Sequence, residues 1–441
     1  MRIPRLKTII AVALLAAFAA VPAMAETTVY NMEQAVVRAL EANPSIIAAR
    51  HDLAGSEEGR KSARGAFLPS AKATYGYTAK DHAKPKPQSA TSEADLFSAG
   101  VNVHQNIFTG WNTLSTYQKS VLGKERSQAT LRSAELTLVG LVQQNFLGLL
   151  QARENVRVAE DSLKRLQEQL KVTRAFYDVG LKPRLDVLQA EVDLARAEDT
   201  LLSARNSVST QMARLNTLLG LELDADADYA GSLDYVPFSA GIDDVLARAY
   251  KARPDLEIAG KSVEIALKDE TIAKSGYYPQ VGADFDWSTY GDDMTASGSD
   301  LVKTEFSEWS VGVSASWTLW EWGKTHYAVK QAKESVKSLI ASADNTRQEA
   351  TYEVKANHLD IGKAAESIKV NRKAVEAAQE GYRMAVARYQ AQVGTNTDVL
   401  DAQERLTTAE AGLIKALADY RIALSKMFVS MGEQNPALDS F

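Results

Sequence analysis

Two spacings of apolar residues share this chain. Val142, Leu149, Val156, Leu163, Leu170 and Tyr177 stand seven apart, as do Val354, Ile361, Ile368, Val375, Tyr382 and Tyr389. Beside them, three residues on, come mostly small or polar side chains: Asn145, Ala152, Ala159, Leu166 and Thr173, then Asn357, Ala364, Asn371, Ala378 and Ala385. A heptad phase held this long is a coiled-coil seam, and small second positions let the helices approach closely. The seams predict helices over about 112–178 and 324–390, each roughly 100 Å long at 1.5 Å per residue. No compact globule has room for that. Return helices are expected over about 184–219 and 396–430, with Pro183 suited to a helix start and Gly220 and Gly432 to helix ends. Val179-Gly180-Leu181 and Val393-Gly394-Thr395 read as the tight turns between long and return helices.

The second spacing is two. Ala71, Ala73, Tyr75 and Tyr77 alternate with Lys72, Thr74 and Gly76, and Phe97, Ala99, Val101 and Val103 alternate with Ser98, Gly100, Asn102 and His104. Val281, Ala283, Phe285 and Trp287 alternate with Gly282, Asp284 and Asp286, and Trp309 through Leu319 alternate with Ser310, Gly312, Ser314 and Ser316. Four strands are expected, in hairpins over about 70–108 and 280–320, joined by polar loops at about 79–95 and 290–306. A half-buried sheet of a soluble domain alternates in the same way. Here aromatics gather near strand ends, and the other face is Ser, Gly, Asn and Asp, as a transmembrane barrel with a wet interior requires. Four strands cannot close such a barrel, and open edges are not tolerated in lipid, so several copies must combine.

The order of elements is written twice, about 210 residues apart. Met32 through Pro44 aligns with Ile242 through Pro254, Ala66-Phe67-Leu68-Pro69 with Gly276-Tyr277-Tyr278-Pro279, and Asp186-Val187-Leu188 with Asp398-Val399-Leu400. The expected units are a first repeat over 26–220, a linker over 221–240, a second repeat over 241–432 and a tail over 433–441. Each repeat opens with a helix, about 31–65 and 242–275, interrupted near Pro44 or Pro254 because proline breaks the hydrogen-bond ladder.

Composition changes the picture in three places. Arg2, Arg5 and Lys7 precede an apolar run from Thr8 to Val21 and a small-x-small site at Ala23-Met24-Ala25, the pattern of a secretory leader over 1–25. Removing it makes a chain of net charge −6 more acidic still, so nothing predicts nucleic-acid binding. With no cysteine, disulfides, thiolate metal sites, thiol catalysis and an N-terminal lipid anchor are excluded. Gly323-Lys324-Thr325 ends like a phosphate-binding loop, but Thr318 stands where its first glycine must be. Asp224, Asp226 and Asp228 lack the glycine and glutamate of a calcium loop and read as a solvated linker. The five histidines show no ligand spacing, and no nucleophile–base motif occurs. No catalytic residue, cofactor or metal is expected.

With these motifs in place, the chain resembles the TolC family of outer-membrane efflux proteins. The resemblance covers Met32 to about Gly432 and rests on Ala66-Phe67-Leu68-Pro69, Asn106-Ile107-Phe108-Thr109-Gly110, the two glycine turns and Thr397-Asp398-Val399-Leu400-Asp401-Ala402-Gln403. It implies an α+β membrane protein, a trimeric twelve-stranded outer-membrane β-barrel with four strands per protomer, continued by a long α-helical coiled-coil barrel. It also implies the outer membrane of a Gram-negative bacterium, a homotrimer and an exit duct for efflux or type I secretion. The implied partners are a periplasmic adaptor (membrane fusion protein), an inner-membrane transporter of RND or ABC type, and outer-membrane lipid. Residue by residue, Asp398 and Asp401 match the acidic ring of the periplasmic gate, Tyr389 the tyrosine of the closing network, and Asp186 the first-repeat acidic position. Val179, Gly180, Leu181, Val393, Gly394 and Thr395 match the tips that meet the adaptor. Gly394 stands where the family has the tyrosine's arginine partner, which leaves Arg184 and Arg388 as candidates for that link. A periplasmic coiled-coil adaptor or scaffold shares the leader and the coiled coils, but lacks paired amphipathic hairpins.

Overall fold

The computed structural model describes residues 28–79, 95–291, 293–296, 307–435 and 438. The leader expected at 1–25 lies outside the described residues, as do most of the two hairpin loops. The chain runs β1 (Thr28–Tyr30), α1 (Met32–Ala42), α2 (Pro44–Gly65), β2 (Ser70–Ala79), β3 (Asp95–Phe108), α3 (Asn112–Asp178) and α4 (Arg184–Leu218). It continues through β4 (Ala227–Tyr229), α5 (Ile242–Ala252), α6 (Pro254–Lys274), β5 (Gln280–Gly291), β6 (Ser307–Ser316), α7 (Lys324–Gln390) and α8 (Asn396–Met431). Both α3 and α7 are 67 residues long.

The strands form one antiparallel sheet in the order β2-β3-β5-β6. Its register lines the apolar residues up in rows across all four strands: Ala73, Val101, Trp287 and Trp309 form one row, and Ala71, Val103, Phe285 and Val311 the next. The opposite face is polar. There Asn102 Nδ2 donates to Asp286 Oδ1 at 2.7 Å, and His104 Nδ1 lies 2.6 Å from Asp284 Oδ1. The outer edges of β2 and β6 have no strand partner among the described residues. β6 stops at Ser316, short of the expected 320, because its partner β5 begins at Gln280, opposite Ser316. No helix among the described residues is long and apolar enough to cross a membrane.

The helices differ from the expected ones in two details. The prolines end one helix and begin another: Asn43 and Arg253 take extended backbone, and Pro44 and Pro254 occupy the first turns of α2 and α6, where a missing N–H costs nothing. Along α3 the buried line crosses from Val142 and Leu149 to the small column, Ala152, Ala159, Leu166 and Thr173. The cause is that α3 packs on both α4 and α8, so the interior falls between its two columns. Along α7 the first column stays inward, with Val354, Ile361, Ile368 and Tyr389 buried and Val375 and Tyr382 half-buried.

Apolar packing concentrates midway along the long helices. One cluster joins Ala35, Val36 and Ala39 of α1 to Val142, Phe146 and Leu149 of α3 and to Leu215 of α4, and a second joins Val245 of α5, Val354 of α7 and Met427 of α8. The segment around Asp224 to Asp228 is only in part the solvated linker expected: Asp224 and Asp226 are exposed, but the strand after them is docked. Ala227 and Tyr229 are buried, β4 pairs in parallel with β1, and the Tyr229 hydroxyl donates to Asn216 Oδ1 at 2.6 Å. The three aspartates in the stretch hid an alternation that turns Ala227 and Tyr229 inward.

Candidate functional site

Both long helices end in the same hydrogen-bonded turn. After α3, Leu181 N–H donates to the Phe176 carbonyl at 2.8 Å and Gly180 N–H to that of Tyr177 at 2.9 Å; after α7, Val393 N–H donates to Arg388 and Gln392 N–H to Tyr389, both at 3.0 Å. This is a Schellman ending, which needs one left-handed residue. Gly180 fills that place at φ 77°, and its counterpart is Gln392 at φ 61°. The second turn is therefore Ala391-Gln392-Val393, centred two residues before the glycine that sequence suggested. Gly394 lies just beyond, where a Cβ would stand 3.2 Å from both Arg388 Cβ and Tyr389 N. Glutamine in the left-handed region costs about 1–2 kcal/mol, partly offset by glycine's greater freedom when unfolded. Gln392→Gly is thus expected to stabilise the tip by up to about 1 kcal/mol, read as a higher unfolding temperature. A lower one would refute the strain. Val179, Leu181 and Val393 point into solvent at the tip.

Behind the turns lies a buried polar cluster joining four helices. Tyr389 of α7 is 0% exposed, and its hydroxyl donates to Thr173 Oγ1 of α3 at 3.2 Å. Asn396 at the start of α8 is 1% exposed. Its Oδ1 accepts from Gln169 Nε2 at 2.9 Å and from Thr173 Oγ1 at 3.2 Å, and its Nδ2 donates to the Asp186 carbonyl of α4 at 3.1 Å. Lys182 Nζ sits 5.0 Å over the Tyr389 ring and donates to the Gly394 carbonyl at 3.3 Å. Burial pushes the Tyr389 phenol above its ordinary range, so it stays a neutral donor. Asp186 thus joins the cluster through its main chain. Gln169, Asn396 and Lys182 were not singled out from sequence; Thr173 was visible only as a polar residue in an apolar seam.

Asp398 and Asp401 lie one turn apart on α8, both exposed. Asp398 also caps its helix: the Thr395 N–H donates to Asp398 Oδ2 at 2.9 Å, and the Asp398 N–H to Thr395 Oγ1 at 3.1 Å. These bonds to Thr395, with Arg388 nearby, hold the Asp398 carboxyl below the usual aspartate range. Its capping contribution is therefore present above that range and is lost only as pH falls through the lowered value. The counterpart of Thr395 is Pro183, which has no N–H to give and makes no side-chain cap at α4. Among the described residues no group of three or more His, Asp and Glu side chains is arranged to hold a metal ion.

Long paired helices crowned by a sheet with one apolar and one polar face define a membrane-anchored duct. The chain matches the Outer membrane efflux protein family twice, over residues 35–221 and again over 245–433, and it belongs to that family. It is 24% identical over 411 residues to outer membrane protein TolC of Vibrio cholerae, covering 91% of this chain and 90% of that one. It is also 24% identical over 406 residues to the alkaline protease secretion protein AprF of Pseudomonas aeruginosa, covering 88% and 82%. The fold matches the solved outer membrane protein VceC of Vibrio cholerae with a TM-score of 0.79 at 18% identity, covering 91% and 96%. The protein is an outer-membrane exit duct for efflux or type I secretion and reaches into the periplasm.

Proposed function

We propose that three copies close a twelve-stranded barrel and a continuous helical tunnel, passive and gated at the periplasmic tips. The observation that carries this reading is the sheet of four strands whose two edges have no strand partner among the described residues, since a sheet edge cannot face lipid. Each protomer contributes two repeats, 26–220 and 241–432, joined by the segment between them. The protein catalyses nothing itself; an inner-membrane transporter of RND or ABC type supplies the energy. A periplasmic adaptor engages the exposed tips at Val179, Gly180, Leu181 and at Val393, Gly394, Thr395. The cluster of Gln169, Thr173, Tyr389 and Asn396 is the latch that keeps α7 and α8 against α3 and α4.

In the trimer, Asp398 and Asp401 repeat around the opening and make a cation-selective constriction, as charged rings do in pores. Recording the purified protein in planar bilayers tests both ideas. Pore conductance with cation selectivity is expected, and an Asp398→Asn, Asp401→Asn double variant is expected to lose most of that selectivity and its block by divalent cations. Absence of conductance would refute the duct, and unchanged selectivity would refute the ring alone.

A further inference from the structure

The contact between the two halves of one chain is a template for the contact between chains. The hairpins share one register: Ser70 faces His104 in the first, and Gln280 faces Ser316 in the second. Residue equivalence continues past the strands. Thr109 Oγ1 accepts from the Thr113 N–H at 3.1 Å, and Glu321 Oε1 accepts from the Thr325 N–H at 3.0 Å. Between each such pair lie two consecutive left-handed residues: Gly110 and Trp111 at φ 61° and 72°, and Trp322 and Gly323 at φ 54° and 80°. Trp322 is therefore the counterpart of Gly110.

Inside the chain, Gly110 is pressed against the end of α6. A Cβ there would stand 2.7 Å from the Ser275 carbonyl oxygen and 2.9 Å from Tyr278 Cβ, so only glycine fits. The counterparts of Ser275 and Tyr278 in the first repeat are Gly65 and Leu68, which Trp322 of the same chain does not cover. The sizes are exchanged. Within the chain a glycine meets serine and tyrosine; at the free end a tryptophan waits, and the matching surface offers glycine and leucine. In the single chain Trp322 is 86% exposed and Leu68 66%. A bulky residue held both in the left-handed region and in solvent is an outlier on two counts, and such strain persists where function holds it.

We propose that Trp322 is the knob of the seam between protomers, received by Gly65 and Leu68 of a second copy. The proposal rests on the reading that copies of this chain close the barrel, and adds which residues meet. The register follows from the same template. Within the chain Val103 faces Phe285 and Val101 faces Trp287; across the seam β6 lies antiparallel on β2 of the second copy, with Ala315 facing Tyr75 and Val313 facing Tyr77. That register keeps the apolar residues of both edge strands on one face.

The chain contains no cysteine, so introduced pairs report cleanly. A Trp322→Cys, Leu68→Cys double variant, oxidised in isolated outer membranes, is expected to give covalent oligomers on denaturing gels, severalfold more than either single variant. A Val103→Cys, Phe285→Cys pair is expected to link only within a chain. Should the first variant not fold, Val313→Cys with Tyr77→Cys tests the same seam without removing the tryptophan and must also link chains. An oligomer of unchanged size with neither linkage, in which the thiol of Trp322→Cys reacts with a lipid-soluble maleimide, would place the knob against lipid and overturn the proposal while leaving barrel closure standing. A wild-type protein that sediments as a monomer would overturn the closure reading and the proposal with it.

Discussion

Asn396→Ala is expected to raise the resting conductance of the reconstituted duct several-fold. Asn396 ties α8 to two other helices: it accepts from Gln169 and Thr173 of α3 and donates to the Asp186 carbonyl of α4. Truncation removes all three bonds and leaves the Gln169 amide only its longer contact to Thr173 Oγ1 at 3.3 Å, at about 1–3 kcal/mol for a poorly satisfied buried group. The penalty falls on the closed arrangement, because an opened tip admits water to the same groups. A loss of about 2 kcal/mol corresponds to roughly a 30-fold shift in the ratio of open to closed tips. Tyr389→Phe removes one hydroxyl contact to Thr173 and is expected to have a smaller effect in the same direction. Single-channel recordings of the two variants beside wild type decide it. If Asn396→Ala keeps wild-type resting conductance while melting normally, the cluster is ordinary packing and the latch must lie elsewhere.

Gly432→Ala is the stability change with the largest expected effect. Gly432 ends α8 at φ 76°, and a Cβ there would lie 2.7 Å from the Ala252 carbonyl carbon, the Ala252 oxygen and the Arg253 nitrogen. All three are backbone atoms, in the gap between α5 and α6 that Pro254 enforces, so no side chain can swing aside. Left-handed strain of about 1–2 kcal/mol and overpacking of about 1–3 kcal/mol act together, giving a cost of about 3 kcal/mol or more. The same gap holds the helix end from another side, where Arg253 donates to the Ser430 carbonyl at 2.9 Å. Gly362→Ala is the control. It lies within α7, where an added Cβ would meet nothing within 4 Å, and alanine there is expected to stabilise by about 0.5–1 kcal/mol. Thermal unfolding in detergent should move in opposite directions for the two alanines. Equal shifts would refute the steric account.

The extent to which this structure could be read from the chain depended on the length over which each pattern repeats. Heptads sustained from Val142 to Tyr177 and from Val354 to Tyr389 marked α3 and α7, because a long periodic signal averages over local exceptions. Alternation marked the strands for the same reason. The three-residue strands β1 and β4 carry too little pattern to be noticed, and their pairing joins segments far apart in sequence. The polar latch was largely illegible. Gln169 and Asn396 look like surface residues until four helix ends are brought together, and nothing local says that they will be buried. Gln392 stands where many members of the resembled family have glycine, yet the turn was centred on Gly394, two residues on, because sequence habit favours glycine for a turn. Asp398 was legible as a match to an acidic ring; that it also caps α8 depends on the turn before it, and any part in a ring is additional to that cap.

The pairing of Thr28–Tyr30 with Ala227–Tyr229 also sets an order of events. A parallel strand pair bridging this much sequence forms late, because loop closure comes before any reward in contacts. The first repeat therefore remains untied at its base until residues beyond Tyr229 have emerged into the same compartment. The midpoint of the chain, rather than either end, thus supplies the piece that lets the first repeat settle.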